Sequence, residues 1–139
     1  MKNEQLILTK EDYLFLIDCY FSGRLYAFNR ARLLQELRNA KVVNSEYVPS
    51  NVVRSNSDVL VGNLDKCQTF NIHIVSPDRK RRKPNDIPAS DPLAVALLGY
   101  QTGAITEWEL SDGVNRFQVV SVHQPETDPV ADHFMASSV

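Results

Sequence analysis

The sequence predicts an α+β protein, with a pair of helices first and a small antiparallel sheet after it. Three observations carry the prediction. Apolar residues recur at spacings of three and four before residue 41. Beyond it the pattern turns to β-branched clusters and alternation, as where Phe70, Ile72 and Ile74 interleave with Asn71, His73 and Val75. A Ser111-Asp112-Gly113 turn then joins two further strand-like segments.

The first helix starts at Thr9, whose hydroxyl can accept from the free N–H of Asp12, and Glu11 and Asp12 suit the positive end of the helix dipole. Leu14, Ile17 and Phe21 supply its apolar stripe, and Ser22-Gly23 stops it, since glycine tolerates the left-handed turn that follows. The second helix is expected over residues 25–40, with Tyr26, Leu33, Leu37 and Ala40 as its stripe, widened by Leu34. So short a connection makes the two antiparallel, as a hairpin. Strands follow around Val42-Val43, Val52-Val53, residues 59–61 and residues 70–75. Asp91-Pro92 opens a short helix through Leu98, because aspartate favours the cap and proline has no N–H to leave unpaired. Gly99 ends it. Residues 104–110 (AITEWEL) and 114–123 (VNRFQVVSVH) complete the sheet. The units are an arm at 1–8, the hairpin at 9–41, the sheet domain at 42–126 and an acidic tail at 127–139.

The chain has 139 residues, 43% hydrophobic and 23% charged, which suits one globular domain with a real core. Fifteen basic residues against 17 acidic give a net charge of −2, unlike the basic excess of a general nucleic-acid binder. No apolar run is long enough to span a membrane, and Met1-Lys2-Asn3-Glu4 does not lead into a signal-peptide core. Two distant cysteines, Cys19 and Cys67, show no metal-binding spacing, so a reduced cytoplasmic protein is expected.

Four segments in register carry a resemblance: YVPSNVVRSNSDVLVGNL (47–64), IPASDPLAVALLGYQTG (87–103), WELSDGV (108–114) and HQPE (123–126). Together they resemble the GreA/GreB transcription-factor family, and within it the branch of regulators of nucleoside diphosphate kinase (Rnk). The resemblance implies an N-terminal antiparallel coiled coil and a C-terminal domain of FKBP-like fold. It implies RNA polymerase as partner, bound through the C-terminal domain at the rim of the secondary channel. In the Gre factors a long coiled coil carries acidic residues at its tip that help to hold magnesium for transcript cleavage. Here the hairpin is shorter and its turn reads Tyr20-Phe21-Ser22-Gly23-Arg24, with Asp18 alone about one turn back. Magnesium sites are built from carboxylates and retained water, and Arg24 opposes a cation. Asp18 therefore reads as a solvated helix charge, and no metal, cofactor or cleavage activity is expected.

Ser90, Asp91, Pro92 and Leu93 correspond to the family's polymerase-contacting loop and helix start; without the resemblance they read as a plain N-capped helix. The order differs from the usual one, which puts serine directly before proline, and Ala94 stands where many members have glycine. Leu93, Val95, Ala96, Leu97 and Leu98 read as core. Arg79, Lys80, Arg81, Arg82 and Lys83 cannot pack together and belong on an exposed loop, as an electrostatic element or a plain solvated connection. No aromatic residue interleaves them to offer a stacking platform. His73, His123 and His133 lack ligand spacing, and His73 is expected to face solvent. Trp108 reads as a core anchor and Cys67 as a structural thiol. The expectation is a monomeric, non-enzymatic polymerase-binding regulator that competes with Gre-type factors. The rivals are an FKBP-like peptidyl-prolyl isomerase and a nucleic-acid binder working through 79–83.

Overall fold

The computed structural model describes residues 5–76 and 83–124. The chain runs β1 (Ile7–Thr9), α1 (Lys10–Phe21), α2 (Ala27–Asn39), β2 (Lys41–Val43), a 3₁₀ turn (Ser45–Tyr47), β3 (Asp58–Asn63), β4 (Gln68–Val75), β5 (Asp86–Pro88), α3 (Pro92–Leu97), β6 (Ile105–Leu110) and β7 (Gly113–His123). This is the mixed α+β content that the sequence predicts.

Thr9 caps α1 as expected: its Oγ1 accepts from the Asp12 N–H at 3.1 Å. The buried side of α1 is not the expected stripe. Asp12 and Leu16 face inward, while Leu14 is 51% and Phe21 73% exposed. Apolar residues sit on both sides of this helix, so spacing alone could not choose the inner one. Asp12 makes the choice, by accepting from Ser55 N at 3.1 Å and Ser55 Oγ at 2.6 Å across the fold. Along α2, Leu33 and Leu37 are buried as expected, and Asn29 joins them. Tyr26, placed in the stripe by the sequence, is the exposed N-cap residue.

The first strand has no counterpart in the sequence reading, which treats residues 1–8 as an arm. β1 pairs in parallel with β2, from Ile7 opposite Lys41 to Thr9 opposite Val43. Lys41 N donates to Leu6 O at 2.8 Å, and Ile7 N donates to Gly99 O at 3.1 Å. Leu6 and Leu8 are thereby buried in the main core. Burying each is worth roughly 1.5–3 kcal/mol.

The main sheet has five strands in the order β5-β4-β3-β7-β6. It is not wholly antiparallel, as the sequence predicts, because β4 and β5 are parallel, from His73 opposite Asp86 to Val75 opposite Pro88. The pairing uses only the last three residues of β4, so the chain needs to return only about 10 Å before running alongside it. Val52 forms a single bridge to Gln101 rather than a strand. β7 is long enough to pair with both β6 and β3, and its register slips between Leu60 and Val61, leaving Val120 unmatched in a bulge. Leu110 pairs with Gly113, so Ser111 and Asp112 form a two-residue turn, and Gly113 adopts φ +115°. α3 packs on the inner face with Ala94, Val95, Ala96 and Leu97 buried, beside Trp108, Phe117 and Val119.

Candidate docking surface

The Ser90-to-Leu93 segment is exposed because both of its flanks are pinned. On the upstream side, His73 N donates to Asn85 O at 2.9 Å and Ala89 N to Val75 O at 2.9 Å, which holds the chain along the β4 edge. Asp91 N donates to Pro88 O at 2.9 Å and tightens the turn. Asp91 then caps α3, its Oδ1 accepting from Leu93 N at 2.9 Å, while its carbonyl accepts from Val95 N at 3.0 Å. Downstream, Ala94 to Leu98 are buried and fix the helix. Ser90 and Pro92 are left exposed, with Asp91 and Leu93 half-buried between them. The four expected residues do form one turn: a small apolar knuckle with a carboxylate committed to the backbone. Such a knuckle offers pre-formed contact area rather than reactivity.

Of the basic run, Arg79, Lys80, Arg81 and Arg82 lie outside the described residues. Lys83 is exposed, and its N–H donates to Asp86 Oδ2 at 2.9 Å. The expected tail at 127–139 and His133 also lie outside the described residues.

The turn between α1 and α2 is built from local bonds. Ser22 Oγ donates to Cys19 O at 2.7 Å and accepts from Arg24 N at 3.2 Å, and Gly23 takes φ +75°. Arg30 lies 4.4 Å over the Tyr20 ring, and Tyr20 and Phe21 pack edge to face at 5.0 Å. Burial pushes the Cys19 thiol up from its ordinary value, with Arg24 pulling it down and Asp18 pushing it up. Asp18 is exposed. Among the described residues, no three His, Cys, Asp or Glu side chains gather where they could hold a metal ion.

His73 does not stand free in solvent as the sequence suggests. It sits opposite Asp58 across β3 and β4, and its Nδ1 lies 2.6 Å from Asp58 Oδ1. Trp108 is buried as expected, though among the described residues its Nε1 has no hydrogen-bond partner. Cys67 is exposed in a left-handed turn at φ +55°. The ties that matter most for the shape were not visible in the sequence. They are Asp12 to Ser55, and Asn29, whose side-chain amide meets both backbone groups of Glu109.

These elements define an α+β protein in which two short helices lie beside a five-stranded sheet, and a capped turn at the start of α3 presents an apolar point. Residues 48–124 match the family described as "Transcription elongation factor, GreA/GreB, C-term". The chain belongs to the GreA/GreB family. It is 28% identical over 105 residues to the transcription elongation factor GreA of Acetivibrio thermocellus, across 76% of this chain and 63% of that protein. It is 29% identical over 99 residues to GreA of Clostridium beijerinckii, across 69% of this chain and 62% of that protein. The chain thus spans under two thirds of the length of these relatives. A solved prokaryotic transcription elongation factor GreA/GreB from Nitrosomonas europaea superposes with a TM-score of 0.61 at 27% identity, covering 87% of this chain and 99% of that one. Among the described residues, no helix is long and apolar enough to cross a membrane.

Proposed function

We propose that this chain is a cytoplasmic, non-enzymatic regulator that binds RNA polymerase at the rim of the secondary channel and is of the Rnk branch. In this reading residues 42–126 form an FKBP-like domain that docks through Ser90, Asp91, Pro92 and Leu93. Residues 9–41 form an antiparallel helical hairpin that occupies the channel entrance. The observation that carries it is the extent of the family match, which takes in the sheet, α3 and the capped knuckle. α1 has 12 residues and is about 18 Å long, too short to carry a catalytic tip deep into a partner. Its turn offers Tyr20, Phe21 and Arg24 rather than paired carboxylates, so the chemistry it supports is occlusion rather than metal-assisted cleavage.

The experiment is co-purification of the full chain with core polymerase, repeated with Pro92→Gly and Leu93→Asp. The wild type is retained and both variants are lost, at a temperature where circular dichroism shows each variant still folded. Excess wild type suppresses transcript cleavage stimulated by a Gre factor and stimulates none itself. A wild type that fails to bind, or that stimulates cleavage, overturns the reading.

A further inference from the structure

The two helices do not project from the sheet domain as a free arm. α2 is laid along β6, the edge strand of the five-stranded sheet. Near its start, Asn29 Nδ2 donates to Glu109 O at 2.8 Å and Glu109 N donates to Asn29 Oδ1 at 2.6 Å. Both backbone groups of Glu109 therefore point to the open side of β6, where one carboxamide takes the place of a neighbouring strand. One turn further on, Arg32 NH1 stands 3.9 Å from Glu107 Oε1. Further again, Leu33 and Glu36 line a small cavity with Tyr100, Thr106 and Trp108. Residues rise along α2 as they fall along β6, so the helix runs antiparallel to the strand over most of its length. Only the first turn of α2 lies beyond the clamp.

The same strand carries α3 on its inner face, and α3 begins with Pro92 and Leu93. β6 is thus the shared rail between the α1–α2 turn and the docking knuckle. We infer that Asn29 is a positioning residue, which holds the start of α2 down on β6 and so sets where the Tyr20-to-Tyr26 turn stands relative to Pro92 and Leu93. Asn29 is 1% exposed, and its three-dimensional role is that of a rivet rather than a contact. The clamp itself stands on geometry alone; its consequence for competition rests on the polymerase-binding reading above.

The test is orientation, measured by backbone residual dipolar couplings on the isotope-labelled full chain. One alignment tensor fits α1, α2 and the sheet in the wild type. In Asn29→Ala the couplings of residues 20–30, the α1–α2 turn and the start of α2, shrink relative to those of the sheet, and the Glu109 amide exchanges about tenfold faster or more. Asn29→Asp keeps the acceptor for Glu109 N but sets a carboxylate oxygen against Glu109 O, and loosens the same residues at least as much as Asn29→Ala. Should Asn29→Ala fail to fold, Arg32→Ala carries the same measurement. A single tensor for residues 20–30 and the sheet in every variant, with only a lower melting temperature, overturns the inference, because a merely structural residue would do that much. With polymerase, the variants are retained like the wild type, through the intact knuckle, but displace a Gre factor less well. Unchanged displacement after the tensors separate refutes the link to competition. A wild type that never binds polymerase refutes the functional reading instead and leaves the clamp standing.

Discussion

Gly99→Ala is the substitution whose cost can be worked from the coordinates. Gly99 ends α3 at φ +89°, and a methyl group there would stand 2.8 Å from Leu8 Cδ2, 3.0 Å from Leu6 Cβ and 3.2 Å from Leu8 Cγ. The Leu6 Cβ is fixed by its backbone pairing, and Leu8, 1% exposed, has little room to turn its Cδ2 aside. The left-handed backbone costs an alanine about 1–2 kcal/mol, and the crowding adds about 1–3 kcal/mol. The sum, about 2–5 kcal/mol, is a large part of the 5–15 kcal/mol typical of a domain. Gly23→Ala is the control. Gly23 has φ +75° but nothing within 4 Å of the added methyl, so it bears the backbone term without the crowding. Any gain from a stiffer unfolded chain is common to both. Urea unfolding followed by circular dichroism gives the two losses directly, with slopes unchanged. Equal destabilisation by the two alanines, within about 0.5 kcal/mol, would refute the claim that β1 is wedged against the end of α3.

Other expectations concern single ties. Asp12→Ala removes the acceptor for Ser55 N and Ser55 Oγ and lowers stability by about 2–3 kcal/mol, against about 1 kcal/mol for Ser55→Ala; calorimetry distinguishes this order from its reverse. The carboxyl of Asp65 is held below the usual range first by the Arg116 backbone N–H and then by its guanidinium, and that of Asp112 by Lys66 and then Asn115. A lowered folded-state value means that this stability is present above about pH 4 and lost as pH falls through the lower value. Asp65→Asn and Asp112→Asn therefore flatten the fall in urea midpoint between about pH 5 and pH 2, and an unaltered acid limb would count against them. Iodoacetamide at about pH 8 alkylates exposed Cys67 before Cys19, whose thiol is half-buried and pushed up. Mass spectrometry of the time course reads the order.

Local rules made much of the fold legible. Thr9 and Asp91 act as caps, Gly23 and Gly99 as left-handed stops, and Ser111-Asp112 as a turn because these conformations are decided within four residues of sequence. The alternation of Ile72 and Ile74 gave the inner face of β4, although Val75, grouped with the outward residues, is buried as well; the apolar density of residues 93–98 gave the buried helix. The inward side of α1 was not legible. Leu14 and Phe21 are as apolar as Leu16, and a polar residue, Asp12, settles the matter through a partner 43 positions away. Asn29 gave no signal for a similar reason, since its partner is the backbone of Glu109, 80 positions on, and backbone has no residue type. β1 and β5 have three residues each, too short for any periodicity. The knuckle was visible as a cap; its role as a contact is part of the proposal and rests on the resemblance.

The seating of Leu6 and Leu8 against Gly99 fixes an order of events during synthesis. These leucines leave the ribosome early, yet the groove that receives them is closed by a residue made about ninety positions later. At 5–20 residues per second that delay is on the order of 5–20 s. Leu6 and Leu8 wait for Gly99, and α2 waits longer still, for the β6 backbone at Glu109 that Asn29 grips.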